Sequence, residues 1–221
     1  MGSKKFRDAE TQTLDLPFST SGYKVEKTDH SAFISRTIRQ SIDLKSSLLE
    51  DTELLARIND VSNRCIQTFK QGNRLLLAGN GGSAADAQHI AAEFVCRFNF
   101  ERPALPAMAL ATNYSVMTAA GNDYSFDEVF AREIEANGCA GDLFIGISTS
   151  GNSMNILNAI EAARLKGIFT VGLAGTAGEI QQRADICLNV PSKSTPRIQE
   201  CHILIGHILC EIVENNLFAR L

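Results

Sequence analysis

From residue 74 onward the chain alternates short, continuously apolar runs with amphipathic stretches long enough to be helices. That alternation is the strongest constraint on the fold. A run such as Leu75-Leu76-Leu77-Ala78 has no polar face, so a strand made from it must be covered on both sides. Strands are read at 74–78, 107–110, 142–147, 169–173 and 186–190. Helices are read at 83–98, at 152–166 with Gly167 as its stop, and at 196–217 behind Pro196. Apolar strands joined through helices make an α/β fold with a parallel sheet, and ligands on such sheets bind beyond the carboxyl ends of the strands.

Ahead of this region, apolar residues recur every three to four positions. Ile34, Ile38, Ile42, Leu48 and Leu49 mark one helix; Leu54, Leu55, Ile58, Val61, Ile66 and Phe69 mark a second. The two carry more apolar surface than one layer on one domain needs. Packing against another subunit is the expectation for the excess, and a monomer in sedimentation at micromolar concentration would contradict it. Residues 1–28 are polar and read as a flexible arm, which leaves 29–221 as a single domain.

Charge and cysteine usage narrow the partners. A formal net charge of -4 argues against a nucleic-acid or anionic-membrane partner, so a bound anion must be held by local features. The six cysteines are widely spaced with no CxxC pair, which fits free thiols in a reducing cytoplasm. No long apolar run follows the N-terminus, so neither a signal peptide nor a membrane span is expected.

Two strand ends carry chemistry. Gly79-Asn80-Gly81-Gly82-Ser83 lies between a strand and a helix. Glycines there allow close approach of a ligand, and the helix start offers free N–H groups; a plain tight turn explains the same glycines. Ser148-Thr149-Ser150-Gly151-Asn152-Ser153 places four hydroxyls within six residues at another helix start. Capping needs one or two of them; a neutral cradle for phosphate uses all four. No Walker lysine is present, which argues against a nucleotide-hydrolysing P-loop.

The helix after the first loop carries His89, Glu93 and Arg97 at spacings of four. They share one face, either as a surface ladder or, for His89 and Glu93, as half of a metal site. On the last helix Gln199 and His207 are eight residues apart, about 80° around the axis, so both can face one way. Gly206 permits close approach of another backbone. His207 also reads as a core histidine within the apolar run 203–208, and His202 takes no assignment.

Taken in order, these segments resemble the phosphoheptose isomerases of the sugar isomerase (SIS) domain superfamily. The likeness rests on the first loop, Asp86-Ala87-Gln88-His89 with Glu93, Gly121-Asn122-Asp123, the second loop and Arg197-Ile198-Gln199-Glu200, and spans about residues 30 to 218. It implies a doubly wound, flavodoxin-like five-stranded sheet and a homotetramer with sites near subunit contacts. It implies conversion of sedoheptulose 7-phosphate to D-glycero-D-manno-heptose 7-phosphate, on the way to lipopolysaccharide, capsule or another heptose product. The resemblance puts phosphate on Ser148, Thr149, Ser150 and Ser153. It puts the sugar chain on Asn80, Gly81, Gly82, Ser83, Asn122 and Asp123, with Glu93 and Gln199 also at the substrate. It places zinc, one per subunit, on His89, Glu93, Gln199 and His207, and makes Glu93 and His207 the acid–base pair. The alternatives are a non-catalytic SIS module that binds a protein such as a replication initiator, and an isomerase of another phosphosugar. Glu93 and His207 favour the enzyme.

Overall fold

The computed structural model describes residues 29–218; the arm expected at 1–28 lies outside them. Helices α1 (Ser31–Glu50) and α2 (Thr52–Lys70) come first, then β1 (Leu75–Gly79), α3 (Gly82–Val95), β2 (Ala107–Ala109), α4 (Tyr114–Asp123), a 3-10 turn and α5 (Val129–Asn137). β3 (Leu143–Ser148), α6 (Met154–Leu165), β4 (Phe169–Ala174), α7 (Ile180–Arg183), β5 (Ile186–Asn189) and α8 (Thr195–Phe218) complete the chain. The strands pair in parallel in the order β2-β1-β3-β4-β5, which is the doubly wound, flavodoxin-like arrangement.

Each strand divides its side chains between two layers, because alternate residues point to opposite faces. Leu75, Leu77, Leu143, Ile145, Val171 and Leu188 pack with α2, α3 and α8. Leu76, Ala78, Phe144 and Ala174 pack with α5 and α6. Both layers are closed, which is why the strands read as unbroken apolar runs. The expected strand and helix limits hold within about three residues; α3 is the shortest-fallen, ending at Val95 and not at residue 98. α4 and α5, between β2 and β3, are additions to the elements legible from periodicity.

Ile34, Ile38, Ile42 and Leu49 of α1 and Leu55 of α2 are exposed, and Phe33 joins them, whereas Leu48 is buried. Arg197 and Glu200 tie α1 to α8: Arg197 donates to the Thr37 carbonyl (3.1 Å), and the Ser41 hydroxyl donates to Glu200 (2.7 Å). All six cysteines are free thiols.

His202 is fully buried on α8 and donates from Nε2 to the Ala174 carbonyl at 3.3 Å; its Nδ1 has no partner. Burial pushes its pKa down to about 4, and the carbonyl bond offsets only part of that. The unfolded chain takes up this proton near pH 6.5 and the folded chain does not until about 4. Stability from this group is therefore complete above about pH 6.5 and lost as pH falls through that window. Chemical denaturation at pH 7 and pH 5 is expected to differ by about 2 kcal/mol on its account, a difference that His202→Leu removes. An unchanged difference in that variant would assign the loss to other groups.

Candidate active site

The strand order reverses at β1 and β3, and the crevice outside their carboxyl ends is where a doubly wound sheet takes its ligand. Gly79 pairs with Ile147 in register, so the two loops singled out in the sequence leave the sheet side by side. Their elements are joined directly: Asn80 and Asn155, in the first turn of α6, exchange two side-chain amide bonds of 2.9 Å.

Gly81 opens α3 at φ +55°, ψ −120°, a conformation essentially reserved for glycine. No side chain caps α3 there. A Cβ on Gly82 would stand 2.5 Å from Nε2 of Gln199, which lies directly against the loop. Ser83 is buried beneath Gly79.

In the second loop the hydroxyls face one another. Ser148 Oγ lies 3.0 Å from Ser153 Oγ and 3.4 Å from Ser150 Oγ, and Ser150 Oγ accepts from the Asn152 N–H at 3.2 Å. Ser153 occupies the N-cap of α6 without making a side-chain cap bond. The start of α6 and three hydroxyls therefore stand together, with the Ser148 hydroxyl donating to Ser153. Thr149 and Ser150 also line a groove of about 310 Å³ with Thr176, Ser192, Thr195 and Lys193. Lys193 brings a cation to this groove from a separate loop, where no spacing rule pointed to it.

On the α3 side three groups meet. His89 Nε2 is 3.3 Å from Glu93 Oε1 and 3.0 Å from His207 Nε2 on α8, and all three donor atoms lie within 4.8 Å of one another. Phe98 packs on the His207 ring at 5.7 Å between centroids. His207 is half-buried, not enclosed in the core. The helices run parallel, with Gly82 against Gln199, Ile90 against Gly206 and His89 against His207. The close approach at Gly206 is made by a side chain and not by a backbone: a Cβ there would meet Ile90 Cδ1 at 2.5 Å. Helices this near each other interlock through side chains, and Ile90 fills the gap left by the glycine.

Asp86, one turn before His89, was part of the sequence pattern without a role. Its Oδ2 is buried with no hydrogen-bond partner. Burial pushes its carboxyl above the usual range, and the imidazoles of His89 and His207 pull it part of the way back. Two imidazole nitrogens, a carboxylate oxygen and an orphaned carboxylate beside them form a donor set suited to a divalent metal. Arg97 turns away to pair with Glu101 on the surface at 3.1 Å. Asn122 and Asp123 are exposed at the far end of α4 and bond to each other at 2.8 Å; the near end of α4, Tyr114 and Met117, lines a cavity of about 280 Å³ beside Asn80.

Residues 39–175 match the SIS domain family, and a parallel sheet in this order with a hydroxyl-rich loop at the β1/β3 crevice fits that class. A phosphoheptose isomerase of Aneurinibacillus thermoaerophilus is 55% identical over 189 residues, 85% of this chain and 96% of that protein. One from Sulfurimonas denitrificans is 54% identical over 188 residues, with the same coverage. The phosphoheptose isomerase structure from Neisseria gonorrhoeae superposes with a TM-score of 0.79 at 38% identity, covering 85% of this chain and all of that one. Within the SIS domains, the chain belongs to the phosphoheptose isomerase family.

Proposed function

We propose that the protein isomerises sedoheptulose 7-phosphate to D-glycero-D-manno-heptose 7-phosphate, the first step toward an activated heptose. The observation that carries this reading is the meeting of His89, Glu93 and His207, whose donor atoms on α3 and α8 lie within 4.8 Å of one another. The reaction moves a proton from C1 to C2 of a ketose through an enediol or enediolate while the carbonyl changes place. It needs a base at carbon and an acid at oxygen. Glu93 is the base that takes the C1 proton and returns it at C2. His207 protonates the C2 carbonyl oxygen as the enediol forms, and takes the proton from the C1 hydroxyl as the aldehyde forms.

Phosphate at the other end of the substrate sits on Ser148, Thr149, Ser150 and Ser153, and its binding energy holds C1 and C2 at Glu93. Asn80, Gly81, Gly82, Ser83 and Gln199 flank the sugar chain. Asn122 and Asp123, exposed within one subunit, serve a site at a subunit contact, and the apolar face of α1 supports assembly into a homotetramer. His89, Glu93 and His207, with Gln199 as fourth ligand, would hold zinc. When bound, zinc polarises the carbonyl and steadies developing negative charge on oxygen. The six free cysteines support a cytoplasmic setting, and no described helix is long and apolar enough to cross a membrane.

Incubation with sedoheptulose 7-phosphate, followed by NMR of the product with and without a chelator, tests the reading. Appearance of the aldoheptose phosphate supports it, and recovery of unchanged ketose from the metal-loaded protein rejects it. Lys193 gives a narrower test. As the cation on the Thr149–Ser150 groove, it is expected to assist a dianion from a solvated position, so Lys193→Ala raises KM about three- to tenfold with kcat unchanged. An unaltered KM would remove it from phosphate binding.

A further inference from the structure

Two charged side chains lie buried just beyond the site and outside the roles assigned so far. Arg102, in the segment after α3, and Glu214, on α8, are each only 1% exposed and pair at 3.1 Å. Each terminal nitrogen and oxygen of the pair has a partner. Arg102 Nη2 donates to the Glu93 carbonyl at 2.7 Å, and Nη1 donates to the carbonyls of Phe94 (2.6 Å) and Pro103 (3.0 Å). Glu214 accepts from the backbone N–H groups of Phe98 (2.8 Å) and Asn99 (2.6 Å).

The bonds converge on particular groups. The carbonyls of Glu93 and Phe94 belong to the last turn of α3, whose carbonyls have no partner further along the helix, and a cation is favoured there by the helix dipole. One of them is the carbonyl of Glu93 itself. Glu214 stands two turns after His207 on α8, so the two lie on nearly the same face. Phe98, whose N–H Glu214 holds, is the residue packed on the His207 ring. The pair therefore grips both sides of the meeting between α3 and α8.

A buried ion pair is a poor device for stability alone, since apolar residues of similar volume often serve as well. Apolar residues would not fix the axial register of two helices at a defined carbonyl and a defined N–H. We propose that Arg102 and Glu214 are positioning residues. They lock the register of α3 on α8 and so set the separation of Glu93, His89 and His207. The catalytic part of this inference rests on the assignment of Glu93 and His207 as the acid–base pair.

Arg102→Ala would strand a buried carboxylate, so the informative variants are Arg102→Lys and Glu214→Gln. The first keeps the charge and loses the fork. The second is isosteric, keeps an acceptor for Phe98, and leaves Arg102 on its three carbonyls. The control is Ile160→Ala, fully buried in the opposite layer, compared at a temperature where all the proteins are folded. Titration of metal-free protein with Co²⁺ alone, followed by its visible absorption, reads the donor geometry; kcat and KM for sedoheptulose 7-phosphate read the chemistry. Expected for both clamp variants are Co²⁺ affinity and kcat each lower by about tenfold or more, KM within about threefold, and neither quantity changed in the control. Clamp variants that melt earlier, as the control does, but keep Co²⁺ affinity and kcat would overturn the proposal. If the native protein proved inactive on this substrate while the clamp variants still lost Co²⁺ affinity, the positioning role would stand and the assigned reaction would fall.

Discussion

Glu93→Gln is expected to lower kcat for sedoheptulose 7-phosphate by about 10²-fold or more, the range for loss of a general base, with little change in KM. The substitution preserves the volume of the side chain and an oxygen that can face His89, where the carboxylate now stands at 3.3 Å. What it removes is the capacity to accept a proton from carbon. The proposed phosphate site is on a different loop, at the hydroxyls of β3 and the start of α6, so binding is expected to stay largely intact. A coupled assay for the aldose product reads both constants. Near-native kcat would take Glu93 out of the proton-transfer step. His207→Ala carries the same expectation for the oxygen and serves as its independent check.

The second large effect falls on the other end of the substrate. Ser148→Ala with Ser150→Ala is expected to raise KM by about 10²-fold or more, since each hydroxyl bond to a charged group contributes about 1.5–3 kcal/mol. The two hydroxyls are 3.4 Å apart, and Ser148 also bonds to Ser153 at 3.0 Å, so the proposed cradle is one connected group and the double variant is the cleaner test. Inorganic phosphate as a competitive inhibitor should weaken in parallel. A variant that keeps its KM and its phosphate inhibition would move the phosphate site elsewhere.

The sheet was legible because its physics is local. Leu75, Leu77 and Leu143 face one covered layer while Leu76 and Phe144 face the other, and a strand buried on both faces shows as an apolar run. The region between β2 and β3 was not legible for the opposite reason. Tyr114, Val116, Tyr124 and Phe126 are exposed in the subunit, so α4 lacks a clean stripe of buried residues. The His89–Glu93 face followed from a spacing of four, but its contact with His207 joins residues 118 positions apart, and no periodicity encodes which two helices meet. That pairing came from likeness to a family; in the structure the donor atoms of His89, Glu93 and His207 lie within 4.8 Å of one another.

Charged and polar groups whose burial depends on tertiary closure escaped altogether. Asp86, Asn155, Arg102 and Glu214 look like surface residues in the sequence. Each becomes buried or half-buried only when α3, α6 and α8 close over the crevice. In the Arg-Ile-Gln-Glu stretch, Arg197 and Glu200 tie down α1, Ile198 is core, and Gln199 alone turns toward Gly82.

Hydrogen exchange at carbon during turnover bears most directly on the enediol route. The Glu93 side chain is 23% exposed, so a proton it removes from C1 can exchange with solvent before it is returned. Reaction of the native protein in D₂O, followed by NMR, is expected to give aldoheptose phosphate carrying deuterium on C2, with no labelled sugar from Glu93→Gln. Full conversion with only protium on C2, or labelling by Glu93→Gln at the native rate, would contradict proton transfer through this carboxylate.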